Sequence, residues 1–208
     1  AKYPGDLGNS LKVSVCHNAN AWQQSFSTEV GGFTSTANVS FTFTAGSKTV
    51  AIAYSGNTSH ENATAKFVVG DFLLSSNNAY LGQIKSIDSN TQITMKSSYV
   101  AFTDGGTGSE NLVVGSTANG GASSTISRRW EYFGEFDTAP TTTAYGNTAQ
   151  TTGDALHVAI IDEDGRFSGS QGTILETYEN VSMASDAKTE QGATNYYKDV
   201  INQQSPYV

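Results

Sequence analysis

The sequence has 208 residues and a net charge of −8, long enough for one large or two small domains. An acidic chain without a Lys/Arg cluster is a poor nucleic-acid binder and a poor ligand for anionic membranes, because cationic contacts to phosphate supply most of such affinity. The single cysteine, Cys16, excludes an internal disulfide and a Cys-rich zinc site, and no apolar run approaches the roughly 20 residues that span a bilayer.

Hydrophobic content is 37% and charged content 14%, so the chain solubilises itself with Ser, Thr, Asn and Gly. Short β-rich runs broken by Gly and Asn predict a β-dominated fold. Residues 1–8 (A-K-Y-P-G-D-L-G) read as a turn. Residues 10–16 (S-L-K-V-S-V-C) alternate, which predicts a strand with Leu11, Val13 and Val15 toward a core and Lys12 and Ser14 outward. Residues 17–32 are polar, with Trp22 and Phe26 as anchors and no assignable structure.

Residues 33–114 differ in texture. Strands are predicted at 39–44, 48–54, 67–74 (broken at Gly70-Asp71), 80–87 and 92–95. Five or six short strands with turns every 8–12 residues point to a small barrel or sandwich, closed off by Gly105-Gly106-Thr107-Gly108. Residues 115–124 (G-S-T-A-N-G-G-A-S-S) read as a linker. Arg128-Arg129-Trp130-Glu131-Tyr132-Phe133 is a strand or a loop packed on one, and residues 137–152 are loop-like.

The stretch 156–181 organises the rest. His157 to Ile161 is an apolar β run, Asp162-Glu163-Asp164-Gly165 is a turn, and residues 173–181 alternate, which together predict a hairpin with an acidic tip. In that alternation Tyr178 and Val181 take opposite faces. A helix follows, with Tyr197, Val200 and Ile201 on one face, Thr194 as N-cap, and a stop before Pro206. The chain starts at Ala1 without a Met and ends on Pro206-Tyr207-Val208, which reads like the start of another strand, so a longer protein is expected. No stretch reads as a signal peptide.

Asp162, Glu163 and Asp164 lack the EF-hand spacing, and adjacent residues in a tight turn diverge, so a solvated hairpin tip is expected over a metal site. His17, His60 and His157 are scattered without metal-ligand spacing or a visible catalytic partner, and His157 is expected on a sheet face. Cys16 has no flanking cation and reads as a packed thiol. The Gly-rich runs match no phosphate loop. From Gly115 onward there are 12 acidic and 5 basic residues, so Arg128-Arg129 belong to a local salt-bridge set rather than a nucleic-acid contact. Nineteen acidic residues can always furnish a glycosidase pair, and sequence does not give their separation. No catalytic, cofactor-binding or metal-binding residue is therefore assigned, and no cofactor and no enzyme activity are expected.

Several motifs, in order, resemble one family. Tyr3 to Val15 (Y-P-G-D-L-G-N-S-L-K-V-S-V) resembles the segment of phage contractile-tail sheath proteins that enters a strand through Y-P-G-x-L-G-N. Arg129-Trp130-Glu131-Tyr132 through Phe136-Asp137-Thr138-Ala139-Pro140 resembles the "F-D-x-A-P" loop in sheaths of T-even-like and marine myophages. Leu156-His157-Val158 through Asp164-Gly165 is similar to their "E-L-H-V-V-V-V-D-E-D-G" hairpin, with Asp154-Ala155 in place of the usual Asp-Glu. Gly172-Thr173-Ile174-Leu175-Glu176 through Ser182, continued by Ser185-Asp186-Ala187-Lys188, is similar to "G-T-V-L-E-x-F-E-x-V-S", and Asn195-Tyr196-Tyr197-Lys198 through Asn202 to "N-Y-Y-K-x-V-I-N". The resemblance covers residues 1–16 and about 126–208. Residues 33–114 instead resemble a small β-module recurring in phage structural proteins, on Phe67-Val68-Val69-Gly70-Asp71 and Leu81-Gly82-Gln83-Ile84-Lys85.

The resemblance implies a mainly β, α+β fold. A discontinuous sheath-type domain at 1–32 and 115–208, with a mixed sheet, a central hairpin and a C-terminal helix, is interrupted by an all-β insertion at 33–114. It implies a virion structural protein, assembled in the host cytoplasm, that forms the outer part of a tail sheath. Such subunits surround the tail tube and contract to drive it through the host envelope. Its partners would be other sheath subunits and, indirectly, the tube, with no nucleic acid or membrane. The 208 residues alone would be monomeric. Two alternatives remain: a surface β-domain that binds host glycans through Trp22, Tyr80 or Trp130, and, more weakly, a glycoside-cleaving enzyme. The sheath reading requires residues 11–15 to pair in one sheet with 157–161 or 173–178, with the insertion between them. The enzyme reading requires converging carboxylates, one with a raised pKa.

Overall fold

A computed structural model describes residues 1–55, 62–100, 112–115 and 125–208. Among these residues the elements are, in order, α1 (Asp6–Asn9), β1 (Leu11–Cys16), α2 (Ala19–Trp22), β2 (Gln23–Ser27), β3 (Asn38–Phe43), β4 (Thr49–Ser55), β5 (Phe72–Ser75), β6 (Tyr80–Ser89), β7 (Gln92–Met95), β8 (Leu112–Val114), β9 (Thr125–Arg129), α3 (Ala144–Thr148), β10 (Ala155–Asp162), β11 (Thr173–Ser182) and α4 (Tyr197–Gln204). The fold is mainly β. It divides into a discontinuous unit, Ala1–Trp22 with Tyr132–Val208, and a continuous one, Gln23–Glu131.

In the discontinuous unit β10 is central. Every one of its eight residues is buried, because both faces are covered. It pairs antiparallel with β1, Leu11 opposite Asp162 through Cys16 opposite His157, and antiparallel with β11. One face carries Leu156, Val158 and Ile160, which pack with Tyr178, Val181 and Val200 of α4. The expected alternation fails in two places. Val13 and Val15 lie opposite Ile160 and Val158 on this same face, yet are 50% and 49% exposed, because they sit on an edge strand. Val181 shares the face of Tyr178, because a bulge gives β11 two residues, Glu179 and Asn180, opposite His157 alone. Asn180 has a left-handed φ of 50° there, a conformation Asn tolerates better than most residues. The three-stranded sheet is antiparallel throughout rather than mixed. Helix α4 begins at Tyr197 without a side-chain cap, because the residue at its N-cap is Tyr196 rather than Thr194, whose Oγ1 accepts from the Tyr196 N–H and donates to Asp199.

The continuous unit is one antiparallel sheet in the order β2-β9-β5-β6-β7-β4-β3-β8. Alternation puts Val39, Phe41 and Phe43 of β3 inside, opposite Tyr54, Ile52 and Val50 of β4. Phe26 of β2 and Val114 of β8, at opposite ends of the sheet order, join one core with Phe33, Phe67 and Ile84. The sheet therefore curls strongly, but no ladder closes it into a barrel among the described residues. Gly115 marks the close approach: at φ +97°, a Cβ would lie 2.3 Å from the Val39 carbonyl oxygen. The boundaries also differ from the expected 33–114. Residues 23–32, 115 and 125–131 belong to this unit, because β2 pairs with β9 and β9 pairs with β5.

Candidate functional site

The acidic tip is not a solvated turn at Asp162. This carboxylate is fully buried, whereas Glu163 and Asp164 are exposed. A ten-residue connection, 163–172, separates the strands in place of a tight turn, and it folds around that carboxylate. Its Oδ1 accepts from Ser10 Oγ at 2.6 Å and from the Arg166 N–H at 2.8 Å. Oδ2 accepts from the Phe167 N–H at 2.8 Å, the Ser168 N–H at 2.7 Å and Ser168 Oγ at 2.9 Å. Burial alone pushes this carboxyl up, but the donors of Ser10, Ser168 and Phe167 together outweigh it and hold it well below the ordinary range. Gly165, at φ +75°, lets the loop turn, since a Cβ would lie 2.9 Å from the Gln171 nitrogen. Asp162 is thus a loop organiser whose oxygens are spent on the chain itself.

Asp154 plays the same part at the other end of β10. It accepts from the Thr143 N–H at 2.9 Å, Thr143 Oγ1 at 2.6 Å and Ser182 Oγ at 2.6 Å. Burial raises this carboxyl, and the Ser182 and Thr143 donors more than offset that. Sequence reasoning missed Asp154, Ser10 and Ser168, since each partner lies many positions away or behind a loop. Nearby, an open cleft of about 410 Å³ is lined by neutral residues, among them Asn18, Asn20, Pro140, Thr141 and Thr152.

His157 is buried on the second face of β10. Its ring stacks on Phe136 at 4.5 Å and 4°, and Trp22 meets it edge-on at 5.6 Å. His17 is exposed, and His60 and residues 105–108 lie outside the described residues. Cys16 is a buried thiol that donates to the Asn18 carbonyl at 3.5 Å. Among the described residues no group of three or more His, Cys, Asp or Glu could hold a metal ion. No helix there is long and apolar enough to cross a membrane.

In the continuous unit, Arg128 Nη1 pairs with Asp71 at 2.9 Å, as a local salt bridge, and Arg129 Nε donates to Gln23 Oε1 at 2.8 Å. Burial, first, raises the Asp71 carboxyl; Arg128 pulls it down, and Glu131 adds a smaller upward push. Asp71 and Glu131 thus supply one raised carboxyl beside another. However, Asp71 is 3% exposed, and its Oδ2 already accepts from Arg128 and the Val68 N–H, so substrate has no path to that oxygen. Of the three aromatic platforms, Trp130 is buried and Trp22 packs against Phe133, Phe136 and His157. Tyr80 alone of the three is largely exposed, edge-on to Phe72 at 5.7 Å.

Comparison with family models, curated proteins and solved structures gave no match to this chain.

Proposed function

We propose that the protein is the outer part of a contractile-tail sheath subunit, a structural component without an active site. The observation that supports this most is the ladder between β1 and β10. Six consecutive residue pairs join strands on either side of the Gln23–Glu131 unit. That pairing is the requirement the sheath motifs set. A nested β unit is tolerated where it leaves and re-enters the host domain at a surface site with close ends. The two carboxylates of the hairpin motif, Asp154 and Asp162, support the same reading: both serve the rigidity of the sheet's connections rather than a ligand. Sheath subunits store energy in a metastable polymer, so a rigid domain carried on a bistable interface is what the role demands.

The test is negative-stain electron microscopy of this protein together with whatever chain flanks it naturally. Hollow, ring-striated tubes support the proposal. Discrete folded particles under assembly conditions count against it, and a glycan screen centred on Tyr80 becomes the next step.

A further inference from the structure

The surroundings of His157 fix its protonation state. The Asn180 backbone N–H points at Nδ1 at 3.1 Å, and Nε2 lies 2.8 Å from the Thr138 carbonyl oxygen. An N–H can only donate and a carbonyl can only accept, so Nδ1 carries the lone pair and Nε2 the proton. The ring is therefore neutral, in one tautomer, with both nitrogens used and no exposed surface. It ties three pieces of chain together: β10, which carries it; the bulge of β11 at Asn180; and the connection 133–140, which lies on it through Phe136 and Thr138.

We propose that His157 is an acid-sensitive latch that holds the β11 bulge and the 133–140 connection only while its ring is neutral. A second proton on Nδ1 would set two N–H groups against each other in a buried site, and both would lose their acceptor. The ring cannot take that proton unless the Asn180 peptide turns away or the ring leaves its slot. Asn180 already sits at a left-handed φ, so its peptide is the part poised to turn. Its carbonyl accepts from Asn195 Nδ2 at 3.3 Å, which passes the change to the strand-to-helix connection before α4.

The charged and titratable groups on the surrounding elements are few. β1 brings the Cys16 thiol opposite His157 and, four residues away, Lys12, whose Nζ lies 5.3 Å over the Tyr132 ring; α2, which carries Trp22, brings none; the 133–140 connection brings Glu135 and Asp137, and β11 brings Glu176, Tyr178 and Glu179. Glu135, Asp137 and Glu179 are exposed, and the described bonds of Glu176 and Glu179 run to Tyr178 and Asn180 rather than to the ring. The sign is therefore set by the ring's own bonds. The folded corner accepts only the neutral ring, whereas a solvated imidazole takes a proton below about pH 6.5, so acid favours the open corner.

The test is amide hydrogen exchange of the whole protein at pH 7.5 and 5.5, corrected for the intrinsic pH dependence of exchange. One unit below about pH 6.5, protection of the Asn180 amide and of 133–140 should fall by about tenfold relative to Ile160. His157→Asn keeps a neutral acceptor for the Asn180 N–H and should remove that pH dependence. Should this variant fail to fold, ring nitrogen shifts of the wild type serve instead, with ring protonation and loss of Asn180 protection sharing one midpoint. Protection that is unchanged at pH 5.5, that falls equally in the variant, or that survives ring protonation overturns the proposal.

Discussion

Replacing Arg128 with Met exposes what holds the continuous unit together at its charged seam. The Arg128–Asp71 pair spans 2.9 Å, with side chains 14% and 4% exposed. Methionine keeps most of the apolar stem and removes the guanidinium, leaving a buried carboxylate with only the Val68 N–H among its described donors. Breaking one side of such a pair costs about 3–5 kcal/mol at neutral pH, whereas removing both charges is close to neutral. Asp71→Asn on top of Arg128→Met should therefore recover most of the loss, since Asn retains an acceptor for Val68. The pH dependence follows from the direction of the Asp71 shift. A carboxyl raised in the folded state contributes fully below its unfolded value, about 3.9, and loses that contribution as pH rises through its folded value. Burial already raises Asp71, and without Arg128 the main opposing pull is gone. The deficit of Arg128→Met against wild type should shrink between pH 7 and pH 4.5. Urea unfolding followed by Trp130 fluorescence in a Trp22→Phe background reads this unit. A loss below about 1 kcal/mol, the scale of a surface pair, or a deficit independent of pH, refutes the reasoning.

Three further outcomes are expected. Ile160→Ala, at a fully buried position of β10, should destabilise the discontinuous unit by about 2–5 kcal/mol in denaturant titration. Asp162→Asn should open the 163–172 connection to limited proteolysis while β10 and β11 stay protected. In the wild type the same opening should come with acid, because a carboxyl depressed in the folded state contributes above about pH 3.9 and loses that contribution as pH falls through its folded value. Joining residues 1–22 to 132–208 through a short Gly-Ser linker should give a folded domain that retains the β1–β10 register by NMR. The Trp22 and Phe133 rings are 6.1 Å apart, so the ends are close.

Much of the fold was legible in the sequence. Strict alternation in 39–44 and 48–54 placed β3 and β4 to within a residue at each end, since a strand with one buried face must alternate. The hairpin around 162–173 and the terminal helix were equally visible. What escaped depends on partners distant in sequence. Nothing local tells that Ser10 would satisfy Asp162 across 152 positions, so a buried hub read as a solvated tip. Nothing local tells that β9 would sit between β2 and β5, so the β-module read at 33–114 stops short of both ends of the Gln23–Glu131 unit. The bulge at Asn180 carries no Gly, and its signal is only an Asn in a strand opposite a His. The alternation of residues 11–15 pointed Leu11, Val13 and Val15 toward a core, but β1 is an edge strand, and Val13 and Val15 stay about half exposed.

The most direct test of the sheath proposal compares two forms of the protein, each with whatever chain flanks it naturally, one intact and one lacking Gln23–Glu131, by negative-stain electron microscopy. The account predicts hollow striated tubes from both, with the same lumen and a smaller outer diameter after deletion. Discrete particles from the intact form, or a lumen that changes when the inserted unit is removed, would contradict it.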